Sequence, residues 1–359
     1  MGAARLQKLA LGNFTLFDEC ELSFTPGINV ILGENATGKT HLLKLLYAVC
    51  RSVATAKDLD CSKTGFTTHL SKRLVRNFQV DAVGRLASRV QGHKHSTVTV
   101  TAEGSISFEF SARDREVDLR RWEIGKQLWP DPVYLPTKEV LSMFHGLVPA
   151  MAESHLELEE LYSDLALKLG ARAGAGKRAD WQQKLIMPLE KMLKASIDYD
   201  EHAQRFYIKQ RGLGRVEAGL AAEGYRKIGM LLQLVANRGL ADNAVLFWDE
   251  PEANMNPAFA EPLAELLATF ARQGTQVFLA THDYFTLKYL ALTAAAQKAP
   301  VRYFGLYREV PTDKFVRFSI ENHLYDLEPN PVIDAFERLY QRESKQFYSG
   351  RLRRESRPS

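Results

Sequence analysis

The stretch Gly33-Glu34-Asn35-Ala36-Thr37-Gly38-Lys39-Thr40 has the spacing G-x-x-x-x-G-K-[ST], which makes a phosphate cradle wherever it joins a strand to a helix. Glycines let main-chain N–H groups turn inward on a phosphate, and the helix N-terminus behind them adds its positive end. In that setting Lys39 reaches the β- and γ-phosphates, the Thr40 hydroxyl ligates magnesium, and His41 continues the loop into the helix. The flanks supply the setting. Ile28 to Leu32 is apolar throughout and reads as a central strand, and Leu42, Leu43, Leu45, Leu46 and Val49 form a helical stripe.

A second candidate group lies in "NAVLFWDEPEANMNP". Val245 to Trp248 form a strand that delivers Asp249 and Glu250 at its C-terminal end, where open α/β sheets bind ligands. Asp249 suits a magnesium held through water, and Glu250 suits a general base that polarises an attacking water. Adjacent carboxylates at the end of a buried strand are costly unless something compensates them. A third strand, Gln276 to Ala280, is followed by His282, whose imidazole could sense a γ-phosphate.

The elements that must position these residues follow from periodicity. Alternating apolar residues in "LQKLALGNFTLF" and "ECELSFTPGINVILG" predict short strands, and "STVTVTAEGSISFEFSA" predicts an antiparallel hairpin about Glu103-Gly104, in a sheet flanking the main one. "DPVYLP" reads as a short strand ending at Pro136, followed by a helical insertion broken near Gly170 to Lys177. Further on, "QRFYIKQ" is a strand, and helices cover "LAAEGYRKIGMLLQLVANRG", "PAFAEPLAELLATFARQG" and "YFTLKYLALTAAAQ". "VRYFGLYRE" and "KFVRFSIEN" close the pattern as a pair of strands. Strands alternating with helices predict an α/β fold with a mainly parallel core.

Composition excludes little but is consistent with this pattern. The 359 residues are 45% apolar, enough for a sizeable core. The 47 Lys and Arg against 43 Asp and Glu leave a formal charge of +4, too small to argue for nucleic acid. Three cysteines, Cys20, Cys50 and Cys61, show no metal-ligand spacing and favour a reducing compartment. No apolar run of about 18 residues or signal-peptide core occurs, which points to a cytoplasmic protein with no membrane partner.

These pieces, in this order, resemble the ATP-binding heads of the ABC superfamily, in particular the SMC, RecF and OLD-like branch grouped with AAA-family ATPases. The resemblance covers residues 1–50 and 205–310. It implies that Gly33 to Thr40 is Walker A, that Asp249 and Glu250 are Walker B, and that His282 is the switch histidine. It also places Asn254, Met255 and Asn256 in the D-loop that crosses to a partner head. Asn35 matches the family's "G-x-N-G-x-G-K" version, with Ala36 in place of the usual glycine. The signature segment, which reaches the γ-phosphate of the opposite subunit, corresponds to Ala222-Glu223-Gly224-Tyr225-Arg226-Lys227. Ala222 stands where the family has serine, so either Glu223, Arg226 or Lys227 compensates or hydrolysis is slow. A plain exposed helix start is the alternative for this segment. For the Q-loop, Lys138 and Glu139 are the polar candidates.

The organisation implied is one ABC-type ATPase head over 1–359, with core lobes 1–50 and 205–330 and an insertion over 51–204. That insertion holds the hairpin near 96–111 and a helical part near 150–197, and residues 350–359 form a flexible basic tail. The ligands implied are ATP and magnesium, and the partner implied is a second copy joined face to face through the ATP sites. A transporter engine would need the orthodox signature. A DNA-repair head would carry a coiled coil or a basic groove, whereas "SKRLVR" and "GHKH" read as solvated surface. A fused nuclease of OLD type needs more chain than the fewer than about 80 residues after His282. What remains resembles the ATPase subunit of a bacterial antiphage defence system, a sensor or scaffold with a separately encoded effector. The alternatives are a DNA-repair or recombination ATPase of RecF or SMC type, with nucleic acid open as a partner, and a nucleotide-gated scaffold with little turnover.

Overall fold

Three apolar strands, neighbours in one sheet, decide the architecture. In the computed structural model, which describes residues 5–56, 62–88, 95–124, 129–152, 158–172, 178–210, 212 and 214–348, β3 (Ile28–Gly33), β11 (Val245–Asp249) and β12 (Gln276–Thr281) are buried at every residue. Strands buried on both faces read as unbroken apolar runs and pair in parallel. They lie together in a six-stranded sheet of order β14-β13-β3-β12-β11-β7, completed by β7 (Pro132–Leu135), β13 (Val301–Tyr307) and β14 (Arg317–Glu321). All its pairings are parallel except that of β13 with β14. The C-terminal ends of β3, β7, β11, β12 and β13 therefore share one edge of the sheet.

The two faces of this sheet divide the core. Ile31, Phe247, Phe278, Ala280 and Phe304 face a cluster shared with a five-stranded sheet and with α1 (Lys39–Thr55) and α2 (Lys63–Phe78). Val30, Leu32, Leu246, Trp248 and Leu279 face a second cluster under α5 (Asp180–Leu193), α6 (Glu223–Ala236), α7 (Ala260–Arg272) and α8 (Tyr284–Gln297). Alternation at period two sends neighbouring residues to opposite faces. The five-stranded sheet is antiparallel, of order β2-β1-β4-β5-β6, and the expected hairpin supplies β4 (Ser96–Thr101) and β5 (Ser105–Phe110). Its other strands are β1 (Lys8–Phe14), β2 (Phe17–Ser23) and β6 (Asp118–Glu123). Gln276 ties the two sheets together. Its buried amide accepts from the Leu6 N–H at 2.9 Å and donates to the carbonyls of Leu6 and Thr25, both at 2.8 Å.

Several elements were not legible in composition. Polar residues 63–78 form α2, with Ser62 capping the Gly65 N–H and Phe66, Leu70 and Leu74 buried one turn apart. Helix expected through residue 197 stops at Leu193. Lys194 takes φ +49° and the chain turns into β8 (Ala195–Asp200), which pairs with β9 (Arg205–Gln210). After β14 the chain forms α9 (Pro331–Tyr348), whose Phe336 ring stacks on Tyr284 at 3.7 Å. Cys61, the "GHK" of the basic patch, residues 173–177 of the expected break and the 350–359 tail lie outside the described residues. Cys20 and Cys50 are buried and unbridged. No helix among the described residues is long and apolar enough to cross a membrane.

A buried charge cluster pins α1 to its neighbours. Asp164 in α4 (Glu160–Leu169) accepts from the Tyr47 hydroxyl at 2.7 Å and pairs with Arg73 at 2.6 Å and Arg51 at 3.4 Å. Arg73 is 4% and Asp164 7% exposed. Removing one member of a buried ion pair strands the other, whereas an exposed pair contributes little. Asp164→Ala is therefore expected to lower unfolding free energy by about 3 kcal/mol in urea titrations. Asp131→Ala, which removes Arg51's partner at the surface, is expected to cost under about 1 kcal/mol. Equal losses would mean that the Asp164 cluster is not desolvated.

Candidate nucleotide-binding site

Loop 33–40 closes the gap between β3 and α1 with two residues in the left-handed region, Ala36 at φ +60° and Gly38 at φ +91°. Gly38 has a second constraint, since a Cβ there would sit 2.7 Å from the Phe17 ring. Ala36 occupies its conformation without a glycine's freedom, a strain of about 1 kcal/mol or more. Its carbonyl accepts from Arg308 at 2.9 Å, just past the end of β13. Arg308 was not singled out by any motif, since nothing in its local sequence points to the loop. The Thr37 hydroxyl donates to the Glu34 carbonyl at 2.8 Å. Lys39 is 6% exposed and folds back along the loop, donating to the carbonyls of Gly33 at 2.8 Å and Glu34 at 3.0 Å. Burial holds its pKa below the ordinary lysine value, opposed by the nearby Glu250 and Asp249 carboxylates.

Opposite the loop, the Thr40 hydroxyl donates to Asp249 Oδ2 at 2.8 Å, and the buried Tyr134 hydroxyl donates to the same oxygen at 3.3 Å. The other carboxylate oxygen, Oδ1, is buried without a hydrogen-bond partner. Burial pushes the Asp249 carboxyl above its ordinary pKa. A hydroxyl beside a carboxylate with an orphaned oxygen is a hard-oxygen donor pair, which fits magnesium completed by water and phosphate. Among the described residues no group of three or more His, Cys, Asp and Glu could hold a metal. The pair is thus suited to an ion shared with a bound phosphate rather than one caged by protein. Tyr134 is on β7, inside the span read as an insertion, and only the sheet order brings it here.

Glu250 continues from β11 with its N–H bonded to the Ala280 carbonyl at 2.9 Å and its backbone at φ +48°. The left-handed turn bends the carboxylate toward the end of β12, where Glu250 Oε1 lies 3.2 Å from His282 Nδ1. Glu252 is also drawn in. It accepts from Thr281 at 2.6 Å, and burial raises its carboxyl pKa.

The segment 222–227 starts α6 and lies over the loop that follows Glu250. A Cβ on Gly224 would sit 3.3 Å from Met255 Cγ, and Glu223 accepts from Asn254 at 3.0 Å. Asn256 caps the next turn by accepting from the Ala258 N–H at 2.9 Å. Arg226 pairs with Glu139 at 2.7 Å, joining the start of α6 to the segment after β7, while Lys138 stays exposed. Lys227 is fully buried and donates to the carbonyls of Ala253 at 2.7 Å and Glu250 at 3.4 Å. Glu223, Arg226 and Lys227, the residues expected to stand in for the missing serine, each have a partner in their own chain. Ala222 is exposed at the helix N-cap, and Tyr225 packs edge-on against Phe259 at 6.0 Å. The His41 side chain turns away from the loop. Its ring packs edge-on against Phe78 at 5.6 Å and its Nδ1 is buried without a partner, so the side chain serves the contact between α1 and α2. Only its main chain remains at the loop.

Two family models match the chain, one described as "AAA domain" over residues 8–131 and one as "AAA domain, putative AbiEii toxin, Type IV TA system" over residues 135–288. A DNA replication and repair protein RecF of Limosilactobacillus fermentum is 37% identical over 90 residues, covering 22% of this chain and 24% of that protein. The RecF of Listeria welshimeri is 46% identical over 57 residues, 15% of each chain. The chain thus spans less than a quarter of the length of these curated relatives. Among solved structures, an Smc head bound to the C-winged helix domain of ScpA superposes with a TM-score of 0.54 at 12% identity, covering 88% of this chain and 97% of that one. An Smc head with an extended coiled coil, bound to the C-terminal domain of ScpA from Pyrococcus furiosus, gives 0.52 at 11% identity, with 95% and 100% covered. At such identities the likeness is one of fold.

The Asp249 environment predicts a pH signature. Burial raises its pKa in the folded chain, so the stability this carboxyl contributes is present below its unfolded pKa and lost as pH rises through the folded value. Asp249→Asn is therefore expected to raise the melting temperature at pH 8 by a few degrees and to change it little at pH 4. A melting temperature lowered at both pH values would show that the charged form is the stabilised one.

Proposed function

We propose that the chain, which matches AAA-domain family models and shares the fold of SMC heads, is an ATPase head that binds ATP with magnesium on loop 33–40 and hydrolyses it between two copies of itself. In this reading it is the sensor or scaffold subunit of a bacterial antiphage defence complex whose effector is a separate protein. The observation that carries the chemistry is the pairing of Glu250 with His282 at 3.2 Å beside the Thr40–Asp249 bridge. A carboxylate, an imidazole and a hydroxyl–carboxylate pair meet at three adjacent strand ends, which supports a base and a metal-binding pair there.

The residues divide the work as follows. Main-chain N–H groups of Gly33, Glu34, Asn35, Ala36, Thr37, Gly38, Lys39, Thr40 and His41 surround the phosphates, and Lys39 leaves the carbonyls of Gly33 and Glu34 to meet the β- and γ-oxygens. Thr40 and Asp249 hold magnesium, which when bound neutralises the charge that develops on the transferring phosphoryl group. Glu250 accepts the proton of the attacking water, and His282 steadies its carboxylate and reaches the γ-phosphate. Positioning and electrostatics supply the rate, without a covalent intermediate.

A second copy completes the site with its 222–227 turn. Gly224 and the N-terminus of α6 are presented to the γ-phosphate, and Asn254, Met255 and Asn256 line the crossing between heads. With no hydroxyl at Ala222 and with Glu223, Arg226 and Lys227 held in cis, the main-chain N–H groups and the helix dipole carry this contact. Turnover is expected to be slow. The defence role is favoured by the toxin–antitoxin description of the family model over 135–288. The matches to RecF favour a second reading, a DNA-repair or recombination ATPase.

Three measurements test this. Glu250→Gln is expected to give an ATP-stabilised dimer by light scattering, with kcat lowered about a hundredfold or more. Hydrolysis at the parent rate would remove Glu250 from the base role. Lys39→Ala is expected to abolish binding of a fluorescent ATP analogue, and retained binding would overturn the cradle. Duplex DNA is expected to leave the rate unchanged, and several-fold stimulation would favour the RecF reading.

A further inference from the structure

Lys227 is one of the largest fully buried side chains among the described residues, and its ammonium lies in the field of the Glu223, Glu252, Glu250 and Glu139 carboxylates while its hydrogen bonds go to main chain. Burying a charge is costly unless it is paired or fully hydrogen-bonded. Here the acceptors are two main-chain carbonyls, Ala253 at 2.7 Å and Glu250 at 3.4 Å, at the two ends of one turn. That turn is closed by the Ala253 N–H donating to the Glu250 carbonyl at 3.1 Å. It also contains the strained residue, since Glu250 is held at φ +48°. A left-handed non-glycine backbone persists only where its surroundings over-determine it. The Glu250 N–H bond to Ala280 fixes the turn from the β12 side, and Lys227 fixes it from the α6 side.

We propose that Lys227 is a positioning residue, which sets the direction of the Glu250 carboxylate by clamping the main chain of the 250–253 turn. Lys227 lies one turn into the helix that begins at Ala222, on the face opposite solvent. Two further contacts run in parallel from the same helix start to the same loop, Glu223 to Asn254 at 3.0 Å and Gly224 against Met255. A displacement of the 222–224 turn is thus transmitted to the base of the same chain through a buried, charge-assisted strut. In a dimer, that turn faces one nucleotide while Glu250 acts on the other, so Lys227 ties the occupancy of one site to the alignment of the second. The inference rests on the reading of Glu250 as the base. It assigns Lys227 no contact with nucleotide.

The test is a split between binding and turnover in the full chain. Lys227→Met preserves length and apolar bulk but donates no hydrogen bond, and Lys227→Gln keeps one donor group without the charge. Both are to be checked by circular dichroism and thermal melting, then measured for ATP affinity by a fluorescent analogue and for kcat by phosphate release. The expected result is an ATP Kd within about twofold of the parent, with kcat falling about tenfold or more in Lys227→Met and by less in Lys227→Gln. Should Lys227→Met not fold, Lys227→Gln carries the comparison alone. Parent kcat in the folded variants would overturn the proposal, and so would Kd and kcat worsening in step, which marks a merely structural lysine. A parent chain that neither binds nor hydrolyses ATP would instead sink the reading of the site itself.

Discussion

The bond from the Thr40 hydroxyl to Asp249, 2.8 Å long, joins residues 209 apart in sequence. It exists only because β3, β12 and β11 are parallel and in register, with Leu32 opposite Thr281 and Ala280 opposite Asp249. A single hydrogen bond contributes on the order of 1 kcal/mol and could not impose that register. The register comes from burial on both faces. A one-residue slip of β12 would exchange the side chains facing the two hydrophobic clusters, placing Phe278 where Leu279 packs. The apolar core therefore fixes the relative height of three strand ends, and the polar site is a consequence of that height.

Several unfavourable features meet at that edge. Ala36 and Glu250 have left-handed backbones, Lys39 and Lys227 are buried ammonium groups satisfied by carbonyls, and Asp249 carries a buried oxygen without a partner. Each is unfavourable in isolation, and each is held by an element anchored elsewhere. β3 and β12 are locked by their neighbours, α6 is buried along the face that carries Lys227, and α1 is pinned by the Asp164 cluster. Strain and desolvated charge at one edge of a rigid sheet are what a site needs when its chemistry is positioning and electrostatics.

Elements between the first and last parts of the core are not ornament to this arrangement. β7 places Tyr134 on Asp249 and, just beyond, Glu139 on Arg226. α4 places Asp164 on Tyr47, Arg51 and Arg73. The middle of the chain thus touches the Asp249 carboxylate, the loop helix and the start of α6. Movement of α6 relative to β7 would be felt at both Glu139 and the 250–253 turn.

By itself the sequence determined the elements whose signal is local: β3 and α1 around the Gly-rich loop, the strands ending in Asp249-Glu250 and before His282, and the hairpin of β4 and β5. Apolar runs, period-two alternation and a helical stripe are properties of neighbouring residues, so they can be read without the fold. Local composition failed for α2 and α9, where the apolar residues are interleaved with polar and charged ones, and for β8, whose strand begins one residue after a helix with no glycine or proline to mark the change. Only tertiary structure decided which way side chains near the site point. Lys227, Arg226, Glu223 and His41 sit in or beside recognisable motifs, yet the rotation of a helix about its axis and the packing of a neighbour turn them to Ala253, Glu139, Asn254 and Phe78. Tyr134 and Arg308 carry no motif at all, and they reach the site because sheet order, set by burial over hundreds of residues, brings their strand ends to the same edge.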